Sequence, residues 1–190
     1  MRETGRKKFG RWKWLIKLIV KIVSVLPRSI RVTLLSIISG LPGKPGVVLR
    51  YIIFSSLAKY CGDNVYIGRW CILKNLQNIK VGDNVSIHDY IYIDGIGELS
   101  IGSDVSIAHG ASILTFEHSY AKSSIPFKYQ QVVMKPVEIH SNVWIGCGVR
   151  VLAGATIFSD TVVGANSVVK NNLSSGLYAG IPSTKRKDIL

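Results

Sequence analysis

His118 is the residue of this chain best placed to do chemistry. It closes the run ILTFEH at 113–118 and is followed by a twenty-residue segment, SYAKSSIPFKYQQVVMKPVE at 119–138, that interrupts an otherwise regular repeat. A neutral imidazole can take the proton of a hydroxyl as its oxygen attacks, so a histidine at the mouth of a long loop suits a general base. The other reactive side chains have weaker settings. His88, His109 and His140 fall at bends of the repeat. Cys61, Cys71 and Cys147 show no metal-ligand spacing and are odd in number, which points to a reducing compartment rather than a disulfide framework. Cys147 has no histidine close by in sequence and is not read as a nucleophile. Trp144 lies between Val143 and Ile145 on the outward side of a strand, where a ring usually meets an interface or a ligand.

The repeat supplies the frame for these residues. Aliphatic side chains return every six positions: Ile67, Val81, Ile87, Ile93, Ile101, Ile107 and Ile113 before the long segment, then Ile139, Ile145, Val151, Ile157, Val163 and Val169 after it. Six is not a helical period. Most have a second small or apolar residue two positions earlier, such as Val85, Val105 and Val143, which puts both on one face of a short strand. Three positions after ten of them stand Asn84, Tyr90, Asp104, Gly110, Asn142, Gly148, Gly154, Asp160, Asn166 and Asn172. All but Tyr90 are types that tolerate positive φ. A chain that turns at each such corner winds into a prism with its aliphatics in a narrow core. The pattern fails to scan between Cys71 and Ile79, and the step from Ile93 to Ile101 carries two extra residues within 94–98.

The N-terminal third is different. Of the 24 basic and 11 acidic side chains, residues 1–31 hold ten basic groups, Arg2 among them, and one acid, Glu3. Pro27 and the run GLPGKPG at 40–46 punctuate short apolar helices expected over 30–39 and 47–60. Lys13, Lys17 and Lys21 share one helix face, with Trp12, Ile16, Ile19, Val20 and Val23 turned away from it. Such a helix suits the surface of an anionic membrane, or packs on its own protein. No run of uncharged apolar residues reaches the length of a membrane span. Nucleic-acid binding is not expected, because the basic groups lie on an apolar-backed helix and not along a groove with interleaved aromatics.

The repeat, the loop entry ILTFEHSY (113–120), the loop exit KPVEIHSNVWIGCGVRVLAGATI (135–157) and the tail motifs VVGANSVVKN (162–171) and YAGIPS (178–183) resemble the hexapeptide acyltransferases. The likeness is nearest to the maltose and galactoside O-acetyltransferases and to relatives that acetylate surface polysaccharides, and it spans about residues 62–186. The resemblance implies a mainly β fold, a left-handed parallel β-helix with N-terminal helices and one long extruded loop. It implies a helical segment at 1–60, a repeat domain at 61–175 with its loop at 119–138, and a tail at 176–190. It implies a homotrimer with active sites between subunits, acetyl-CoA as acyl donor, a saccharide hydroxyl as acceptor, no metal, and a cytoplasmic location, at the inner face of the cell membrane if the N-terminus docks there. His118 takes the place of the catalytic histidine. Asp94 and His88 stand near acceptor-binding positions. Trp144 stands beside the pantetheine arm, and Cys147, Ala165, Lys170 and Asn171 line the cofactor channel. Lys185, Arg186 and Lys187 are placed to reach CoA phosphates. Relatives carry Thr-Lys where Lys170-Asn171 stand, Pro-Ala-Lys where Pro182-Ser183-Thr184 stand, and glycine where His140 stands.

Two other readings share the repeat. A zinc hydrase of the γ carbonic anhydrase type needs three converging histidines, including a pair five residues apart in the long segment; Ser123 occupies that position after His118. A non-catalytic solenoid scaffold needs no histidine at a loop mouth.

Overall fold

The computed structural model describes residues 5–121 and 124–189. Arg2, Glu3, Ser123 and Leu190 therefore lie outside the described residues. The fold is mainly β with three helices at its N-terminal end. From Tyr60 onward the chain visits three parallel sheets in strict rotation, so it forms a coil with three faces. Face A stacks Tyr60–Cys61, Ile79–Val81, Leu99–Ile101, Val137–Ile139 and Thr156–Ile157. Face B stacks Tyr66–Ile67, Ser86–Ile87, Ser106–Ile107, Val143–Ile145, Thr161–Val163 and Gly176–Ala179, and ends in an antiparallel strand, Thr184–Lys187. Face C stacks Ile72–Lys74, Tyr92–Asp94, Ser112–Leu114, Arg150–Val151 and Val168–Val169.

The six-residue period is the core. All thirteen aliphatics of the series are at most 2% exposed. On face B, Ile67, Ile87, Ile107, Ile145 and Val163 stand in direct register, one above the next. Nine of the ten corner residues adopt positive φ, including Tyr90 at 61°. The corner conformation is imposed by the coil and overrides the usual preference of a tyrosine. Asn172 is the exception; its side-chain Oδ1 instead accepts the Thr156 N–H at 3.1 Å.

The stretch that fails to scan is regular in space. Leu73 pairs with Ile93, and Lys74 with Asp94. The step from Leu73 to Val81 therefore carries the same two extra residues as the step from Ile93 to Ile101. Both insertions sit at the edge where face C passes to face A. The long excursion leaves from that same edge.

The excursion begins and ends earlier than the 119–138 boundary. Phe116–His118 and Val132–Met134 form an antiparallel hairpin, while Val137 and Glu138 are already back in face A, paired with Leu99 and Ser100. The coil closes beneath it, since Ile107 pairs directly with Ile145.

The helices are α1 (Gly5–Ser24), α2 (Arg28–Ile37) and α3 (Gly43–Leu57). They cover the first turn of the coil. α3 buries Tyr51, Ile52, Phe54 and Leu57. Its Arg50 is buried too, with Nε donating to Ile67 O at 2.9 Å and Nη1 to Leu41 O at 2.7 Å, which satisfies the charge with backbone carbonyls. Ile16, Ile19, Val20 and Val23 of α1 pack on this core, and Phe9 meets Tyr51 edge-on at 5.3 Å. The face opposite the lysines is thus turned inward. Lys13 and Lys17 flank it and both pair with Asp63 at the start of the coil. No described helix is long and apolar enough to cross a membrane.

Candidate active site

The hairpin carries His118 outward from the edge between faces C and A. His118 is the third residue of its strand, opposite Val132, and its side chain is exposed. Successive residues of a ribbon point to opposite sides. Glu117 accordingly turns the other way, and its Oε1 accepts from Lys135 Nζ at 2.5 Å. That ion pair raises the Lys135 ammonium above its usual range, through the hydrogen bond first and the charge of Glu117 second. Glu117 is engaged with Lys135 and does not orient His118.

The root of the hairpin is tightly fixed. Thr115 is fully buried. Its Oγ1 donates to Asp94 O at 2.8 Å and accepts from Gly97 N at 2.8 Å. A Cβ on Gly97 would lie 2.1 Å from Thr115 O, so only glycine permits this approach. Lys135 N–H returns to Thr115 O at 2.9 Å and closes the neck.

Asp94 sits one coil below this root, paired in register with Leu114, and is only 6% exposed. Its Oδ1 accepts from Asn75 Nδ2 at 2.7 Å and from Ile96 N at 3.2 Å. The carboxylate therefore shapes the corner as well as lying beneath the hairpin. Lys170 and Asn171 are exposed on the same edge, two coils beyond the root.

A second group lies elsewhere. Trp144 projects from face B between Ser106 and Val162 and is 56% exposed. Cys147 follows at the edge between B and C, where its carbonyl accepts from Asn166 N at 2.8 Å, and Ala165 sits directly over this turn. His88 is on that edge two coils earlier, with Tyr66 at 5.9 Å between ring centroids. It lines a cleft of about 1520 Å³ between α1, α3 and face B, together with Trp12, Tyr51, Tyr66 and Arg69. In a three-sided prism, face B is opposite the edge between C and A. One chain thus presents Asp94, His118, Lys170 and Asn171 on one side and Trp144, Cys147 and Ala165 on the other. His88 and Asp94 are on different edges and do not meet.

Sequence reasoning missed Asn75, Gly97, Thr115 and Lys135. Asn75 and Gly97 lie in consecutive coils, and their only signal is the matched pair of eight-residue steps at one edge. Of the tail cations, Lys185 is paired with Asp188, and Arg186 Nε donates to Ala179 O at 3.2 Å. His140 faces Glu138 and stacks against Phe158 with ring centroids 5.0 Å apart. His88 and His109 share the edge between B and C, His118 rises from the edge between C and A, and His140 lies at the edge between A and B, so no three converge within one chain. No group of three potential metal-ligating side chains occurs among the described residues.

Residues 136–171 match the family model described as bacterial transferase hexapeptide (six repeats). Over 141 residues the chain is 38% identical to WbbJ of Escherichia coli K12, a lipopolysaccharide biosynthesis O-acetyl transferase; the match covers 73% of this chain and 64% of that one. The chain thus carries the hexapeptide repeat of bacterial transferases and is similar to acetyltransferases that share it. It spans 34% and 64% of the lengths of the two curated relatives it matches. Among solved structures of the family, a maltose O-acetyltransferase from Clostridium difficile 630 superposes with a TM-score of 0.78 at 25% identity, covering 91% of this chain and 89% of that one. The hexapeptide-repeat acetyltransferase VCA0836 of Vibrio cholerae, solved with acetyl-CoA, shares the fold with a TM-score of 0.76 at 24% identity, covering 86% and 87%.

Proposed function

We propose that this chain transfers an acetyl group from acetyl-CoA to a hydroxyl of a saccharide, within a surface polysaccharide or its precursor, with His118 as general base. The observation that carries the reading is the hairpin: a single exposed imidazole held on a ribbon whose neck is pinned by Thr115, Gly97 and Lys135. The relatives support the donor and the class of acceptor, being named as acetyltransferases and in one case bound to acetyl-CoA. They also support a left-handed coil.

In the reaction, a His118 nitrogen takes the proton of the acceptor hydroxyl. The oxygen attacks the thioester carbon, and the tetrahedral oxyanion collapses by breaking the C–S bond. The departing CoA thiolate recovers the proton from the imidazolium. Backbone N–H groups at the coil edge suit the oxyanion. On this reading Asp94 and His88 contact acceptor hydroxyls, and Trp144 lies along the pantetheine arm. Cys147, Ala165, Lys170 and Asn171 line the donor channel, with Lys170 and Lys187 toward its phosphates.

The two groups of residues lie on opposite sides of one chain, so a complete site needs two copies. A ring of three, in which the His118 edge of one copy meets face B of the next, makes three such sites by the same contact. The test is to incubate the protein with acetyl-CoA and cell-envelope saccharide and to measure released thiol. His118→Ala should lower turnover by roughly two to four orders of magnitude with the fold unchanged. Absence of thiol release from every acceptor, with CoA binding also absent by calorimetry, would favour a scaffold.

A further inference from the structure

α1 has two apolar faces, and the protein covers only one of them. Ile16, Val20 and Val23 are packed on α3 and the coil. Trp14, Leu18 and Ile22 recur at helical spacing on the other side and are 69%, 47% and 62% exposed, and Val25, in the turn that follows the helix, is 86% exposed. From these residues we infer that the outer face of α1 docks on an anionic lipid surface.

Charge selects this occupant. Residues 5–57 contain eleven Lys and Arg side chains and no Asp or Glu. Lys7, Arg11 and Lys21 share the outer half of α1 with the apolar stripe, and all are exposed. A convex helix face carrying a tryptophan, branched aliphatics and only cations is complementary to a headgroup layer with negative charge. Apolar side chains enter the acyl boundary while the cations stay among the headgroups. The lysines that the coil needs are separate, because Lys13 and Lys17 are held by Asp63. The ion pairs therefore keep the helix oriented with its stripe outward. At 1.5 Å per residue the twenty-residue α1 is about 30 Å long, and it lies in the plane of the surface and does not cross it.

The experiment is co-sedimentation of the full chain with vesicles of phosphatidylcholine alone and of phosphatidylcholine with phosphatidylglycerol. Binding should require the anionic lipid, weaken with salt, and shift tryptophan emission to the blue. A Leu18→Glu, Ile22→Glu double variant touches no core residue and should keep its circular dichroism while losing roughly tenfold or more in partitioning. Equal partitioning of the double variant would overturn the proposal, as would no binding to anionic vesicles. So would a wild-type assembly that the double variant dissolves while neither protein binds vesicles, since the stripe would then be covered by a second copy. None of these readouts depends on transfer activity.

Discussion

Asn75 Nδ2 donates to Asp94 Oδ1 at 2.7 Å, and the two residues occupy the same edge of consecutive coils. This bond ties the first insertion at the site edge to the second. It also gives Asp94 a structural duty besides its proposed contact with an acceptor.

The two duties are separable. Asp94→Asn keeps an Oδ1 that can accept from both Asn75 and Ile96, but removes the charge. Its unfolding free energy should stay close to that of the parent, while Asp94→Ala should lose about 1–3 kcal/mol by leaving those donors unsatisfied. If the carboxylate also meets the acceptor, Asp94→Asn raises KM for the saccharide and leaves KM for acetyl-CoA unchanged. Denaturant titration and initial-rate kinetics on the three proteins check both parts. Unchanged saccharide kinetics would confine Asp94 to the corner.

Thr115 offers a test of the hairpin neck. Thr115→Val removes a buried hydroxyl that bridges Asp94 O and Gly97 N. Stability should fall by about 1–3 kcal/mol. Because the variant loosens the ribbon that presents His118, kcat should fall more than the affinity for acetyl-CoA. Thr115→Ser, which keeps the hydroxyl, should restore most of kcat. Failure of serine to rescue would mean that the methyl group, and not the bridge, holds the neck.

The docking of α1 should depend on acid. Partial burial raises the Asp63 carboxyl, but the hydrogen bonds and charges of Lys13 and Lys17 outweigh it and hold the group below its ordinary 3.8. A carboxyl depressed by folding stabilises fully above its unfolded value and loses that contribution as pH falls through the lower folded value. Thermal unfolding followed by tryptophan emission should thus lose a step of stability below about pH 3.8. Asp63→Asn should lack that step and already be less stable at neutral pH. An unchanged acid limb in the variant would show that α1 is held by its apolar contacts alone.

Much of the frame was legible in the sequence. The aliphatic column from Val81 to Val169 and the Asn, Asp and Gly corners specify a coil that turns every six residues. Leu73 escaped notice because it is only half-buried and the eight-residue step after it breaks the count. Tyr90 could not be foreseen as a left-handed residue, since the constraint comes from neighbouring coils and not from its own preferences. His118 could be read from its place before a long interruption. The hairpin limits could not, because the pairing of Phe116 with Met134 depends on contacts outside the repeat. The inward face of α1 was ambiguous for a simpler reason. The helix has apolar residues on two sides, and only α3 decides which is buried. The partner of Asp94 lay nineteen residues away in a segment where the period was lost.

The coil passes under the His118 hairpin without a break, with Ile107 seated on Ile145 as if nothing intervened. The ladder therefore does not run through the arm, which joins the frame at its buried threonine root. The arm, from its threonine anchor to its lysine clasp, behaves as an interchangeable tool head on a fixed shank. A chain of this design can change its clientele by swapping twenty or so residues at one place, while the ladders that keep it folded register no difference.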